Sequence, residues 1–350
     1  MIRFEPRART PLGLRLLLPV LSVLAAFALA AIPLALAGAP VLSAYAGIVT
    51  GATGSLFAVT ETLTRATPLV FTGLAAAIAF RARLFNIGAE GQLYLGALAA
   101  VAVGSGAVDL PGGLLLPAIL VAAFLAGALL MLGPALLKAR LGVDEVVTTL
   151  LLNFVVLLFV QMMLEGTFKD PMGGGWPQSE PILPEGTLPV LFDRMRVHAG
   201  LVLALVAALL AQVLMSRTVL GLKIRAVGDN AAASRFAGIG ITGVTVVVAV
   251  LSGGFAGLAG ASEVAGLKGY LTSDLSRGFG YAGIVVATLA GLQPLAVVPA
   301  ALFVAGIFVG ADTMSRQVGV SNYVADLIVA LALLCVLVGG LFQRYRPRWS

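Results

Sequence analysis

The sequence predicts an all-α, polytopic transmembrane helical bundle of about ten spans, and three observations carry that prediction. First, 60% of the 350 residues are hydrophobic and 11% charged, against roughly 45–50% and 25% in soluble domains. Second, the mean hydropathy of +1.05 comes from Leu, Ala and Val spread along the whole chain, more apolar surface than a soluble core of this length buries. Third, basic residues are distributed unevenly between the apolar runs, as the positive-inside rule requires of membrane proteins. The net charge of +6 therefore reflects that bias and not a nucleic-acid surface.

The first apolar run extends from about Leu16 to Gly38 behind Arg3, Arg7, Arg9 and Arg15. It is longer than a signal-peptide core and near the roughly 20 residues that cross hydrocarbon, so a retained first helix is expected. Further runs fall at 63–80, 87–106, 113–136, 145–165, 198–215, 242–262, 279–293, 295–312 and 323–342. The two runs flanking Pro294 also fit one broken or re-entrant helix. The stretch 39–60 is glycine-rich and weakly apolar and receives no assignment. With ten spans, an inner N-terminus places 15 of the 22 basic residues on the cytoplasmic side, and both termini there.

Two polar segments interrupt the pattern. Residues 166–197 hold five of the 17 prolines and the run PMGGGWP, and read as an outer loop. Residues 216–241, SRTVLGLKIRAVGDNAAASRFAGIGI, form the longest inner loop. A short amphipathic helix is expected from Asn230, with Asp229 or Asn230 as its N-cap, a surface on which a soluble partner can push. The chain is read as one permease-like domain, 1–350, with 62–165 and 242–343 as inverted repeats. GVDEVVTTLLLN from Gly142 faintly repeats in GVSNYVADLIVA from Gly319, and FNIGAEGQLYLGALAA from Phe85 sits upstream of the first where FGYAGIVVATLAG from Phe279 sits upstream of the second. Transporters place their pathway at such a repeat interface.

The same segments hold the polar residues at membrane depth: Asn86, Glu90, Gln92, Tyr94, Asn153 and Asn322. Polar and ionisable side chains inside a span either bridge helices or face a water-filled cavity, and both roles stay open for Glu90, Gln92 and Asn153. Asp144 and Glu145 suit the N-terminus of a helix dipole. One His and one Cys leave no basis for a metal site, a cofactor clamp or a His-based triad, so no enzyme is expected. No GxxxxGK[ST] occurs, so ATP must be handled elsewhere. The glycine spacings around Gly253, Gly257 and Gly260 allow helices to pack closely in lipid.

RAVGDNAAASRFAGI, at 225–239, resembles the cytoplasmic coupling loop of ABC-importer permeases of the sugar, nucleoside and branched-chain amino acid group. Ala226, Gly228, Asn230, Ala233, Gly238 and Ile239 fit its pattern, and Ser234 stands where a second Ala is common. FNIGAEGQLYLGA at 85–97, GVDEVVTTLLLNF at 142–154 and the run 280–316 resemble the nucleoside branch, whose permeases work with basic membrane lipoproteins. The resemblance covers about 62–343. It implies a permease in the bacterial inner membrane, paired with a second, often non-identical permease. It also implies two cytoplasmic ABC ATPases and an extracytoplasmic substrate-binding lipoprotein. Arg225, Gly228, Asp229, Asn230, Ala233, Arg235 and Gly238 would then touch the ATPase, and a nucleoside or related neutral solute would pass. A sugar permease, or an ion-coupled secondary transporter using Glu90, Asp326 or Glu263, is the alternative reading.

Overall fold

The computed structural model describes residues 2–6, 12–108 and 110–349. Of the basic residues expected near the N-terminus, Arg7 and Arg9 lie outside them. The described residues form thirteen α-helices and one short antiparallel pair, β1 (Ile2–Pro6) with β2 (Tyr345–Trp349). The helices are α1 (Leu12–Leu36), α2 (Val41–Thr53), α3 (Leu56–Arg81), α4 (Ala89–Gly104), α5 (Gly112–Leu141) and α6 (Glu145–Glu165). Then follow α7 (Gly200–Arg217), α8 (Val219–Asp229), α9 (Ala231–Phe236), α10 (Ile241–Glu263), α11 (Phe279–Leu289), α12 (Pro294–Val318) and α13 (Asn322–Arg344). Seven segments are long and apolar enough to cross a membrane: α3, α5, α6, α7, α10 with its extension to Lys268, α12, and α13 over Asn322–Gly340.

Several boundaries differ from expectation. The unassigned stretch 39–60 is helical: α2 fills its first part, and α3 begins at Leu56, seven residues before the expected start at 63. Its glycines and weakly apolar composition give no span pattern. Thr50 and Thr53 satisfy their hydroxyls on the Ala46 and Val49 carbonyls of α2 itself, and Tyr45 donates to the Phe27 carbonyl of α1. The run 87–106 folds as the 16-residue α4, and 279–293 as the 11-residue α11. At 1.5 Å per residue these measure about 24 Å and 16 Å, shorter than the roughly 30 Å hydrocarbon layer. α11 stops at a turn in which Gly291 and Leu292 both take positive φ, and α12 starts at Pro294.

The chain divides into two compact units, Met1–Arg65 with Leu302–Ser350, and Ala66–Ala301. In the first, α1 packs along α13 and the β1–β2 pair joins the two chain ends. In the second, α10 packs against α4 and α5, and glycine makes this possible. A Cβ on Gly127 would overlap the Gly253 carbonyl oxygen, one on Gly257 that of Ala123, and one on Gly260 that of Leu93. Backbones this close gain dispersion contacts that lipid cannot offer, the usual basis of helix association in membranes.

Caps set the connections. Gly142 (φ 68°) ends α5 in the left-handed region open to glycine. Asp144 then accepts from Val146 N at 2.8 Å and so starts α6. α10 runs into a π-helical turn, Val264–Lys268, closed by Gly269. The outer segment 166–199 is ordered against this turn. Ser179 N donates to the Leu271 carbonyl (2.9 Å), Ile182 N to that of Gly269 (2.8 Å) and Leu188 N to that of Ala265 (2.7 Å).

Candidate functional site

The polar residues expected along a path converge, within the unit 66–301, around the start of α4. The chain leaves α3 at Arg81 and crosses to α4 through 82–88; Ala82, Arg83 and Leu84 N still donate to carbonyls of α3, but beyond them no helix or strand continues. Buried backbone groups need partners, and neighbouring side chains supply them. Phe85 N donates to Glu145 Oε1 at 3.1 Å, and Ile87 N to Thr149 Oγ1 at 3.2 Å. Lys138 Nζ pairs with the same Glu145 carboxylate and donates to the Arg83 carbonyl at 2.8 Å. Glu145 thus serves as a loop clamp as well as a first-turn acid.

Asn86 and Gln92 form a reciprocal amide pair. Asn86 Nδ2 donates to Gln92 Oε1 (2.8 Å), and Gln92 Nε2 to Asn86 Oδ1 (2.9 Å). Asn86 also donates to Ser252 Oγ on α10 (2.9 Å) and accepts from Gly88 N (2.9 Å). Ser252 in turn donates to the Ala75 carbonyl on α3 at 2.8 Å. Asn153 reaches over from α6: its Oδ1 accepts from Gly91 N (2.8 Å), and its Nδ2 donates to the Ile87 carbonyl (2.9 Å) and to Tyr281 Oη (3.1 Å). Asn86 and Asn153 are fully buried and Gln92 nearly so.

Glu90 and Tyr94, one turn apart on α4, hold the entry to α11. Glu90 Oε2 accepts from Gly280 N at 2.7 Å. Tyr94 Oη donates to the Ser273 carbonyl (2.8 Å) and accepts from Ser276 N (3.1 Å). A Cβ on Gly280 would collide with the Glu90 backbone, so only glycine lets α11 approach this closely. Chemically, the cluster anchors the starts of two short apolar helices, α4 and α11. The sequence pointed to its amides but not to Ser252, Ser276 and Tyr281, which complete it, because a lone Ser or Tyr in an apolar run has no distinguishing neighbour.

Asn322 is not among them. It opens α13 in the other unit, is exposed, and accepts from Ser315 Oγ at 3.0 Å.

The inner loop folds as α8 and α9. Thr218 caps α8, its Oγ1 accepting from Gly221 N at 3.1 Å. Asn230 rather than Asp229 caps α9, its Oδ1 accepting from Ala233 N at 3.0 Å. Gly228 is buried where any Cβ would strike the Arg81 carbonyl oxygen, and Gly238 takes φ 80° to leave α9. Arg225 is half-buried, and Asp229, Asn230, Ala233 and Arg235 are exposed. Next to Arg235 stands Phe236, 97% exposed, a residue that the loop's small-residue pattern did not single out.

At the opposite end of α7, His198 is fully buried beneath Gly266 of the π-helical turn. Its Nδ1 accepts from Gly200 N at 3.2 Å, and its Nε2 has no hydrogen-bond partner. Burial pushes its pKa down to about 4.

Comparison with known proteins agrees with this architecture. Residues 58–337 match the family model described as branched-chain amino acid transport system / permease component. A glucose ABC transporter permease of Haloferax volcanii is 37% identical, over 99% of this chain and 93% of its own length. A guanosine ABC transporter permease of Bacillus subtilis is 36% identical over 92% of each chain. A nucleoside ABC transporter permease of Lactococcus lactis subsp. cremoris is 28% identical over 95% of this chain and 94% of its own. No solved structure gives a significant match.

Proposed function

The chain belongs to the family of branched-chain amino acid transport system permease components, and we propose that it forms the translocation path of an importer for nucleosides or a related neutral, sugar-like solute. As an ABC permease it is a multi-pass membrane protein that works with ATPase and substrate-binding partners. In our reading a second, non-identical permease completes the path, and an extracytoplasmic lipoprotein delivers the solute. The observation that carries the solute class is similarity along nearly the whole chain to permeases named for guanosine and for glucose, both neutral and rich in hydroxyls. The glucose relative is the more similar of the two and favours a sugar as the second reading.

Coupling to the ATPase is assigned to 216–241, with Arg225, Gly228, Asp229, Asn230, Ala233, Arg235 and Gly238 as the contact or its frame. The exposure of α9 supports this. Interface anchors are commonly aromatic residues that enter a pocket on the partner, and Phe236 has that form. Asn86, Glu90, Gln92, Tyr94 and Asn153 are assigned to the wall that shapes the path, and Asn322 to the matching point of the second half. An inverted repeat is supported locally. Gly142 and Gly319 take φ 68° and 69°, and α6 and α13 each begin three residues later.

Cytoplasmic termini in a bacterial inner membrane complete the proposal. Pairing of β1 with β2 supports both ends on one side, as an even number of crossings requires, and the basic residues favour the inner side. The test is ATP-driven uptake by the full complex in proteoliposomes, with labelled guanosine and labelled glucose as the solutes. Uptake of glucose alone replaces the first reading with the second. Uptake of neither refutes both.

A further inference from the structure

The unit formed by 1–65 and 302–350 contains an ion pair whose members stand near the ends of the apolar runs 63–80 and 295–312. Arg65 Nη2 lies 3.1 Å from Asp312 Oδ2. Because α3 begins at Leu56, Arg65 is its tenth residue, and Asp312 stands six residues before the end of α12. At 1.5 Å per residue, Arg65 is about 13 Å along its helix and Asp312 about 9 Å from its helix end. Helices of 26 and 25 residues extend roughly 4 Å beyond each face of a 30 Å hydrocarbon layer. With each helix centred on that layer, both charges lie inside it.

The pair is not sealed: the side chains keep 24% and 12% of their accessible surface. A charged group at this depth faces a bundle interior or a water-filled cavity, because acyl chains cannot solvate it. The amides of the unit 66–301 differ in this respect, since Asn86, Gln92 and Asn153 are buried and hydrogen-bonded among themselves and to backbone. An apolar cavity of about 360 Å³ in the same unit as the ion pair is no rival site. Its two threonines, Thr53 and Thr62, donate their hydroxyls to the Val49 and Ala52 carbonyls.

We propose that Arg65 and Asp312 are a solute-contacting pair on an aqueous path through the membrane. The carboxylate accepts hydrogen bonds from adjacent ribose hydroxyls, and the guanidinium donates to carbonyl or ring-nitrogen acceptors of the base. A guanidinium holds five donors in a planar fork. Since the pair is neutral as a whole, it presents donors and acceptors without selecting a charged solute. This rests on the nucleoside reading above.

The experiment uses the complete complex in proteoliposomes, with 2′,3′-dideoxyguanosine as a competitor of labelled guanosine uptake. Wild type and each variant share the same binding protein, so a change in discrimination arises in the permease. Asp312→Asn is expected to reduce the preference for guanosine over its dideoxy analogue roughly tenfold. Arg65→Gln is expected to raise KM for guanosine while the ratio changes little. An unchanged ratio in Asp312→Asn overturns the proposal. So does recovery of wild-type uptake by the exchange Arg65→Asp with Asp312→Arg, which identifies a clamp between helices. If the neutral variants do not insert, Arg65→Lys and Asp312→Glu keep both charges and displace the contacts; an altered ratio supports the proposal and an unaltered one refutes it. If wild type takes up glucose and no nucleoside, the function reading fails by itself. The same variants are then compared with glucose against its deoxy analogues.

Discussion

Asn153→Leu separates a wall residue from a solute contact. Leucine matches asparagine in branching and in number of side-chain heavy atoms, so the change opens no cavity and acts chiefly through lost hydrogen bonds. Three disappear together: Gly91 N–H loses its acceptor, and the Ile87 carbonyl and Tyr281 Oη lose a donor. Hydrogen bonds between membrane helices average about 0.6 kcal/mol and reach about 1.7, so the change destabilises by about 2–5 kcal/mol. The upper end applies if the Gly91 N–H stays buried and unpaired. Thr148→Val is the control, because the Thr148 hydroxyl donates only to the Asp144 and Glu145 carbonyls of its own helix turn. The assay is thermal unfolding of the detergent-solubilised complex, followed by uptake at a temperature where the variant remains folded. The midpoint should fall by roughly 4 °C or more in Asn153→Leu and stay near wild type in the control. A wild-type midpoint combined with lost uptake would refute the reasoning, since the amide would then be needed by the solute and not by the fold.

Phe236→Ala should leave insertion intact and sharply weaken ATPase association in pull-down, whereas Gly228→Val, which drives a Cβ into the Arg81 carbonyl, should lower the amount of folded protein. Asn230→Pro removes the α9 cap and the Asn230 N–H that donates to the Ala226 carbonyl at 2.9 Å, and should uncouple ATP hydrolysis from uptake. For topology, cysteines at Met172 and Phe236, 92% and 97% exposed, in a Cys335→Ser background should react with an impermeant thiol reagent only from outside and only from inside, respectively. Reaction of both from one side reverses the assignment. His198 has a folded-state pKa of about 4 against an ordinary 6.5, so the folded protein favours the neutral ring. Its contribution is present above pH 6.5 and is lost as pH falls toward 4, on the order of 3 kcal/mol in all. Unfolding of the outer segment measured across that window should lose its pH dependence in His198→Leu.

Much of this protein is legible from local pattern. Apolar runs identify the membrane as solvent whatever their neighbours are, because transfer of a helix into lipid depends on its own composition. Caps are equally local: Asp144 starts α6 and Asn230 starts α9 through bonds to residues two or three positions on. The coupling segment was visible for the same reason. Other features rest on partners distant in the chain. The stretch 39–60 looked undecided because its glycines and small residues give no apolar period of their own, and what seats α2 lies far along the chain, as where Gly51 meets Thr313. Asn86 and Gln92 read equally well as path or clamp until Ser252, 166 residues from Asn86, stood beside them. Arg65 stands near the start of the apolar run 63–80. Only the fold supplied Asp312, 247 residues away, as its counter-charge. Composition determines that a segment enters the membrane. Which polar group it can carry there is decided by what the tertiary structure places opposite, because in lipid a polar atom has no water to accept in place of a partner.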